Sequence, residues 1–214
     1  MATVKKILSY NLFLSSINAL YRNYFSTRRS KFGYIDPTSR VRFPILIKGI
    51  ENVFLYENTH ILGRSLLIAT KAKFIMKKNS GAAEGFIVVT GNHPLVKGEL
   101  YLLKAGDIDM QNAKDIVVEE DVGIGTNVTL LAGVVVGRGA VIGSGSVIRK
   151  SVPPYAIMAG NPAKVIGFRF SPQQTIEHEI ILYPLNERLS LKLLQENYQK
   201  FFVRRIKDIR SFLG

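Results

Sequence analysis

From Val118 to Pro153 the chain repeats itself every six residues. In frame it reads VEEDVG, IGTNVT, LLAGVV, VGRGAV, IGSGSV and IRKSVP. The first position is always aliphatic: Val118, Ile124, Leu130, Val136, Ile142, Ile148. The fourth is Asp121, Asn127, Gly133, Gly139, Gly145 and then Ser151. A fixed internal period constrains a fold more than any single residue does. A period of six matches neither a helix nor a hairpin alone. Within each hexad, positions one, three and five share one side of an extended segment. Gly, Asn and Asp tolerate the positive φ that a sharp corner needs. Each hexad therefore reads as a short strand followed by a corner, and three hexads as one triangular coil of eighteen residues. Stacked coils would pair as parallel strands about 4.8 Å apart. Val118 then lies over Val136, Ile124 over Ile142, and Thr126 over Ser144, with the aliphatics filling the prism.

The frame recurs upstream in MKKNSG (76–81), AAEGFI (82–87) and VVTGNH (88–93), and in LYENTH (55–60). A weaker match, IDPTSR, begins at Ile35. The register breaks between Arg64 and Phe74, which calls for a bulge or an insertion. Residues 94–115 interrupt the repeat and carry Leu, Tyr and Met, so they read as an ordered loop lying against something. Residues 3–27 space Leu8, Leu12, Ile17, Leu20 and Tyr24 as an amphipathic helix. A cap on the open coil is the favoured role for it, and a basic membrane-surface helix the alternative. After Arg169 the period becomes helical, with Ser171 as N-cap and Pro172 at the first helical position. Residues 186–213 form a second helical pattern. Three parts follow: an N-terminal helix over 1–32, the repeat domain over 33–170 with its inserted loop at 94–115, and a helical extension over 171–214.

The 214 residues hold no cysteine and three histidines, His60, His93 and His178. Disulfides and thiolate catalysis are thereby excluded for this sequence. The net charge of +13 suits an anionic ligand or an anionic surface. Much of it lies outside the repeats, in Lys5, Lys6, Arg22, Arg28, Arg29, Lys31 and from Lys200 to Arg210. No RNA- or DNA-binding module of the usual aromatic–basic kinds accompanies it, so no nucleic-acid partner is expected. No run of eighteen apolar residues occurs, and the N-terminal apolar stretch is diluted by Ser and Asn. A cytoplasmic chain is the expectation, with a peripheral contact to anionic membrane.

The hexads, GNHP at 91–94 and the closing VPPYAIMAGNPAKVIG at 152–167 resemble the hexapeptide-repeat O-acetyltransferases. The resemblance covers about residues 33–169. It implies a mainly β fold, a left-handed parallel β-helix solenoid, with helices at both termini. The left hand comes from the resemblance alone, since parallel crossovers are otherwise right-handed. It further implies a homotrimer with active sites between subunits, acetyl-CoA as donor, and a sugar-type hydroxyl acceptor, as in polysaccharide biosynthesis. No metal is called for.

On that resemblance His93 is the general base, since a neutral imidazole is available near pH 7. Asn92 beside it orients the ring, binds the acceptor or simply forms a corner. Thr126 and Ser144, stacked eighteen apart, would touch the pantetheine arm. Gly125, Gly133, Gly143 and Gly145 would let it approach, although corner geometry alone also explains them. Arg149, Lys150 and Lys164 match positions near the adenosine end, where cations pair with phosphates. Asp107 and Asp109 in the loop are candidates for sugar hydroxyls, against the solvated role usual for loop carboxylates. His60 reads as an exposed coil residue and His178 as a surface or packing residue. Many relatives carry a bulky aromatic where this chain has Gly123, so the pocket is expected to be wider, or filled by Tyr101 or Leu103. The alternatives left open are an N-acetyltransferase acting on an amino-sugar nucleotide and a non-catalytic β-helix binding protein. A γ-carbonic-anhydrase-like zinc enzyme is disfavoured, because no closely spaced histidine pair exists.

Overall fold

A computed structural model describes residues 12–17, 20–21, 28–100 and 112–214. From residue 34 the chain winds through five coils of three short strands each. The first holds β1 (Tyr34–Ile35), β2 (Arg40–Val41) and β3 (Ile45–Lys48). The second holds β4 (Val53–Leu55), β5 (His60–Ile61) and β6 (Ser65–Ile68), and the third β7 (Phe74–Met76), β8 (Gly81–Ala82) and β9 (Ile87–Val89). After the insertion come β10 (Ile116–Val118), β11 (Gly123–Ile124) and β12 (Thr129–Leu131), then β13 (Val135–Val136), β14 (Val141–Ile142) and β15 (Val147–Ile148). A hairpin of β16 (Ala156–Gly160) and β17 (Ala163–Phe168) follows.

Every third strand falls in the same sheet, giving three faces: β1-β4-β7-β10-β13, β2-β5-β8-β11-β14-β16-β17, and β3-β6-β9-β12-β15. Pairing is parallel except within the closing hairpin. The eighteen-residue stacking holds where the hexads are regular: Val118 pairs with Val136 and Ile124 with Ile142. Upstream coils are longer. Tyr34 pairs with Phe54 and Val53 with Phe74. The excess lies at the short 3₁₀ turn Ile50–Asn52 and at the bends between Ile68 and Phe74, the second being the break expected between Arg64 and Phe74.

Corners form as the repeat requires. Asn58, Asn79, Gly85, Asp121, Asn127, Gly133, Gly139 and Gly145 all have positive φ, and Arg64 adopts it at the equivalent place in ILGRSL. Ser151 is not among them. One expectation is corrected. The first and fifth positions of the hexads are buried, from Val118 and Val122 to Ile148 and Val152. The third positions, such as Glu120, Ser144 and Lys150, lie outside the core. The corner begins at the third residue, and its tight turn reverses the strand alternation. Asn92, fifth in VVTGNH, is likewise exposed because the chain leaves the coil there.

The insertion begins and ends at one corner, where Lys114 N donates to Thr90 O at 2.9 Å. Leu95 and Leu100, in its described part, are strongly exposed rather than packed. Tyr101, Leu103, Asp107 and Asp109 lie outside the described residues. The same holds for most of the N-terminal helix. Its described residues are helical at 12–17 and 20–21, with Leu12, Phe13, Ile17 and Leu20 exposed in the single chain, and the cap expected over 3–27 lies mostly outside the described residues.

The C-terminal extension forms α1 (Pro172–Leu182), α2 (Leu191–Phe201) and α3 (Ile206–Leu213). Ser171 and Gln174 make a reciprocal capping box at the start of α1, with Pro172 at the first helical position. A buried polar lock holds α1 to the last coils. Glu179, with no exposed surface, accepts from Tyr155 Oη at 2.9 Å and from Leu189 N at 2.7 Å. Arg138 lies 3.4 Å from Glu179 and 2.9 Å from Glu120, with its guanidinium 4.1 Å from the Tyr183 ring centre. No helix among the described residues is long and apolar enough to cross a membrane.

Candidate functional site

Strand order sorts the expected site residues onto two different edges of the prism. Gly125 and Thr126 follow β11 and precede β12, so they lie between the second and third faces. Ser144 lies one coil above them. Its hydroxyl accepts from Thr126 N at 3.1 Å, and Gly145 N donates to Thr126 O at 2.8 Å. A side chain at Gly125 would meet Ser144 N and Oγ at 2.7 Å, so the close approach of the next coil already requires glycine there. The spacing of Thr126 and Ser144 is therefore a real stack, and this edge presents a narrow polar track.

That track runs toward the closing hairpin. Gly160 N donates to Ser146 Oγ at 3.2 Å, which seats the turn of AGNPAK over the coil carrying Ser144. The turn contains a cis peptide between Asn161 and Pro162 and presents Lys164 at the start of β17. Lys164 faces a cavity of about 410 Å³, into which Arg149 and Lys150 also project. The three cations predicted for the phosphates thus share one hollow. Two residues that the sequence did not flag complete it, Phe201 at the end of α2 and Arg205 just beyond. The run of charge from Lys200 to Arg210 was visible in the sequence, but nothing in it said which residue folds back on the hairpin.

The other edge, between the third and first faces, carries His93. It follows β9, is half-buried, and stands where the insertion leaves the solenoid. Gly133 sits on this same edge one coil up. Its φ is +81° and a side chain there would meet Lys114 at 3.1 Å. Gly133 is therefore separated from Gly125, Thr126 and Ser144 by a whole face, and corner geometry accounts for it. Within a single chain His93 lines neither the basic cavity nor the groove described next.

That groove, on the outside of the second face, contains His60. Register stacks His60, Gly81 and Gly123 in line, and the two glycines leave a notch between the His60 ring and Val141. Gly123 is exposed, and a side chain on it would meet nothing within 4 Å. Gly123 is thus open among the described residues, and the alternative that Tyr101 or Leu103 fills the pocket lies outside them. His60 was expected to be exposed. It is half-buried and shares the groove with Gly125 and Ser144, because the longer upstream coils still bring it into line. His178 packs its ring 5.0 Å from Phe170 and edge-on to Tyr155, and its buried Nε2 has no partner among the described residues. Among the described residues no three or more His, Cys, Asp or Glu side chains converge as metal ligands would.

Comparison with known proteins gives this arrangement a context. The bacterial transferase hexapeptide (six repeats) family matches residues 115–150. A probable macrolide acetyltransferase of Lysinibacillus sphaericus is 38% identical over 115 residues, 53% of this chain and 62% of its own length. A polysialic acid O-acetyltransferase of Escherichia coli O1:K1 / APEC is 37% identical over 146 residues, 60% of this chain and 47% of its own. The chain thus spans less than two thirds of these relatives. In fold it is similar to a hexapeptide-repeat-containing acetyltransferase of Vibrio cholerae solved with acetyl-CoA. There the TM-score is 0.62 and the identity 24%, over 70% of this chain and 82% of the other.

Proposed function

We propose that this chain, a hexapeptide-repeat protein similar to the acetyltransferases, transfers acetyl from acetyl-CoA to a hydroxyl of a sugar or glycan precursor. The observation that carries the reading is the gathering of Arg149, Lys150 and Lys164 in one cavity beside the hairpin turn that Gly160 seats over the coil carrying Ser144. A pantetheine arm is a long polar chain ending in phosphates. A narrow polar track of backbone and hydroxyl groups, and a cluster of cations beside the hairpin turn, fit the two parts of that ligand. Acetyl-CoA supplies the activated thioester. His93 takes the proton of the acceptor hydroxyl, a contribution typically worth about 10²–10⁴ in rate.

His93 and the track lie on different edges, so one chain holds two half-sites. A closed homotrimer that sets the His93 edge of one copy against the Thr126–Ser144 edge of the next would complete three sites. The same reading makes the solenoid left-handed, as in the proteins this chain resembles. It places the enzyme in the cytoplasm. The exposed Leu12, Phe13 and Ile17 and the basic C-terminus would hold it against anionic lipid. Failure to float with anionic liposomes would remove that last part.

The transfer itself is tested with purified protein, acetyl-CoA and a panel of sugar and amino-sugar acceptors. The expected result is an acceptor gaining the mass of one acetyl group through an alkali-labile ester. An alkali-stable amide as the main product would instead establish N-acetylation, and no transfer to any hydroxyl would contradict the proposal.

A further inference from the structure

The C-terminal extension does more than cover the end of the solenoid. The segment joining α2 to α3 folds over the hairpin turn, so that Phe201 and Arg205 form one wall of the basic cavity. Phe212 of α3 reaches the same turn, its ring centre 5.6 Å from Lys164 Nζ. A side chain on Gly160 would meet that ring at 2.8 Å. Four cations therefore converge from three separate parts of the chain: Arg149 and Lys150 from the last coil, Lys164 from the hairpin, and Arg205 from the extension. Among the described residues no acidic side chain lines the cavity. The ion pair of Arg205 is a 3.9 Å approach of its Nε to the exposed Asp208, at the outer limit for such a contact. Four like charges gathered on a concave wall repel one another unless an anion lies between them.

We infer that Arg205 is a phosphate-binding residue and that the C-terminal extension completes a site for a nucleoside bisphosphate, the anionic end of CoA. This rests on the acetyl-CoA reading above. A lone inorganic anion would leave much of a cavity of about 410 Å³ unfilled. Its remaining walls, Met158, Val165 and the Phe201 ring, suit a flat heterocycle attached to the phosphates. Arginine suits the role because its planar fork can hold two phosphate oxygens at once. The extension would then make donor binding depend on helices outside the repeat.

Calorimetric titration with adenosine 3′,5′-bisphosphate and with CoA tests the inference without any acceptor or turnover. The wild-type protein should bind both. R205A should weaken the bisphosphate at least tenfold, on the scale of one lost charge-assisted hydrogen bond, and R205K should recover part of that loss. Both variants should melt within about 2 °C of wild type, as expected for a substitution outside the core. Wild-type affinity in R205A, with K150A weakened, would overturn the role of Arg205 while leaving the acetyl-CoA reading standing. Absence of binding of either probe to the wild-type protein would overturn both.

Discussion

Tyr155 Oη donates a hydrogen bond to Glu179 Oε1 at 2.9 Å, inside a region from which water is excluded at both residues. The carboxylate is balanced by Arg138 and by the backbone of Leu189, and Arg138 also bonds Glu120 of the coil below. Tyr155 itself turns the last corner with a φ of 60°. One buried acid therefore ties the first helix of the extension to two coils of the solenoid.

Removing that acid leaves Arg138 without one of its two carboxylate partners and Tyr155 without its acceptor. Breaking a buried pair from one side costs about 3–5 kcal/mol. Glu179→Ala should lower the melting temperature by roughly 10 °C, given about 2–4 °C per kcal/mol for a chain of this size. Glu179→Gln, which keeps an acceptor for Tyr155, should lose less. Differential scanning calorimetry of the two variants measures this, and equal losses would show that hydrogen bonding to Tyr155 is immaterial.

The same lock has an alkaline signature. Burial, and then the bond to Glu179 and its negative charge, push the Tyr155 phenol well above the ordinary tyrosine value of 10.0. Burial also raises Tyr183, with Arg138 opposing. A group whose folded pKa lies above its unfolded one stabilises fully below the unfolded pKa, and loses that contribution as pH rises through the folded value. The contribution of Tyr155 should therefore be constant through neutral pH and fall above about pH 10. Tyr155→Phe should show a shallower alkaline loss in urea titrations than wild type. Identical alkaline slopes would contradict the assignment.

Two corner glycines separate backbone strain from crowding. Gly139 and Gly145 have φ of 69° and 72°. A side chain at Gly139 would lie 2.5 Å from the Tyr155 ring, whereas at Gly145 it would meet nothing within 4 Å. Gly145→Ala should cost the left-handed penalty alone, about 1–2 kcal/mol. Gly139→Ala should cost about 1–3 kcal/mol more, through overpacking against Tyr155. Chemical denaturation of both variants gives the difference directly.

The notch at Gly81 and Gly123 predicts a change in specificity without a change in stability. Gly123→Trp adds a ring on an exposed, uncrowded position, so the melting temperature should stay within about 2 °C of wild type. Across an acceptor panel, kcat/KM should fall more for the bulkiest acceptor used than for the smallest. A uniform fall would show that the notch does not contact the acceptor.

The stack of Val118 on Val136, the corners at Asn127 and Gly145, and the Thr126–Ser144 pair were legible in the sequence because each follows from a period of six. The third positions were misread, because an alternation argument assumes that the strand continues where the corner has already begun. Arg64 could not be picked out as a left-handed corner, since nothing in its chemistry favours that conformation. His60 stands in the groove with Gly123 only because the extra residues between Ile68 and Phe74 bulge outward rather than shifting the stack. Glu179 read as one more acid in a helix, and Arg205 as one more charge in a basic tail. Both owe their roles to long-range packing of the extension on the hairpin, which local pattern does not encode.

The central claim is that His93, on one edge, serves chemistry on a donor held along another. The most direct measurement is acceptor-dependent release of free thiol from acetyl-CoA by wild type and His93→Ala, with CoA affinity measured on the same preparations. The account predicts a fall in kcat of about 10²–10⁴ with CoA affinity unchanged. Turnover by His93→Ala within a few-fold of wild type would contradict it.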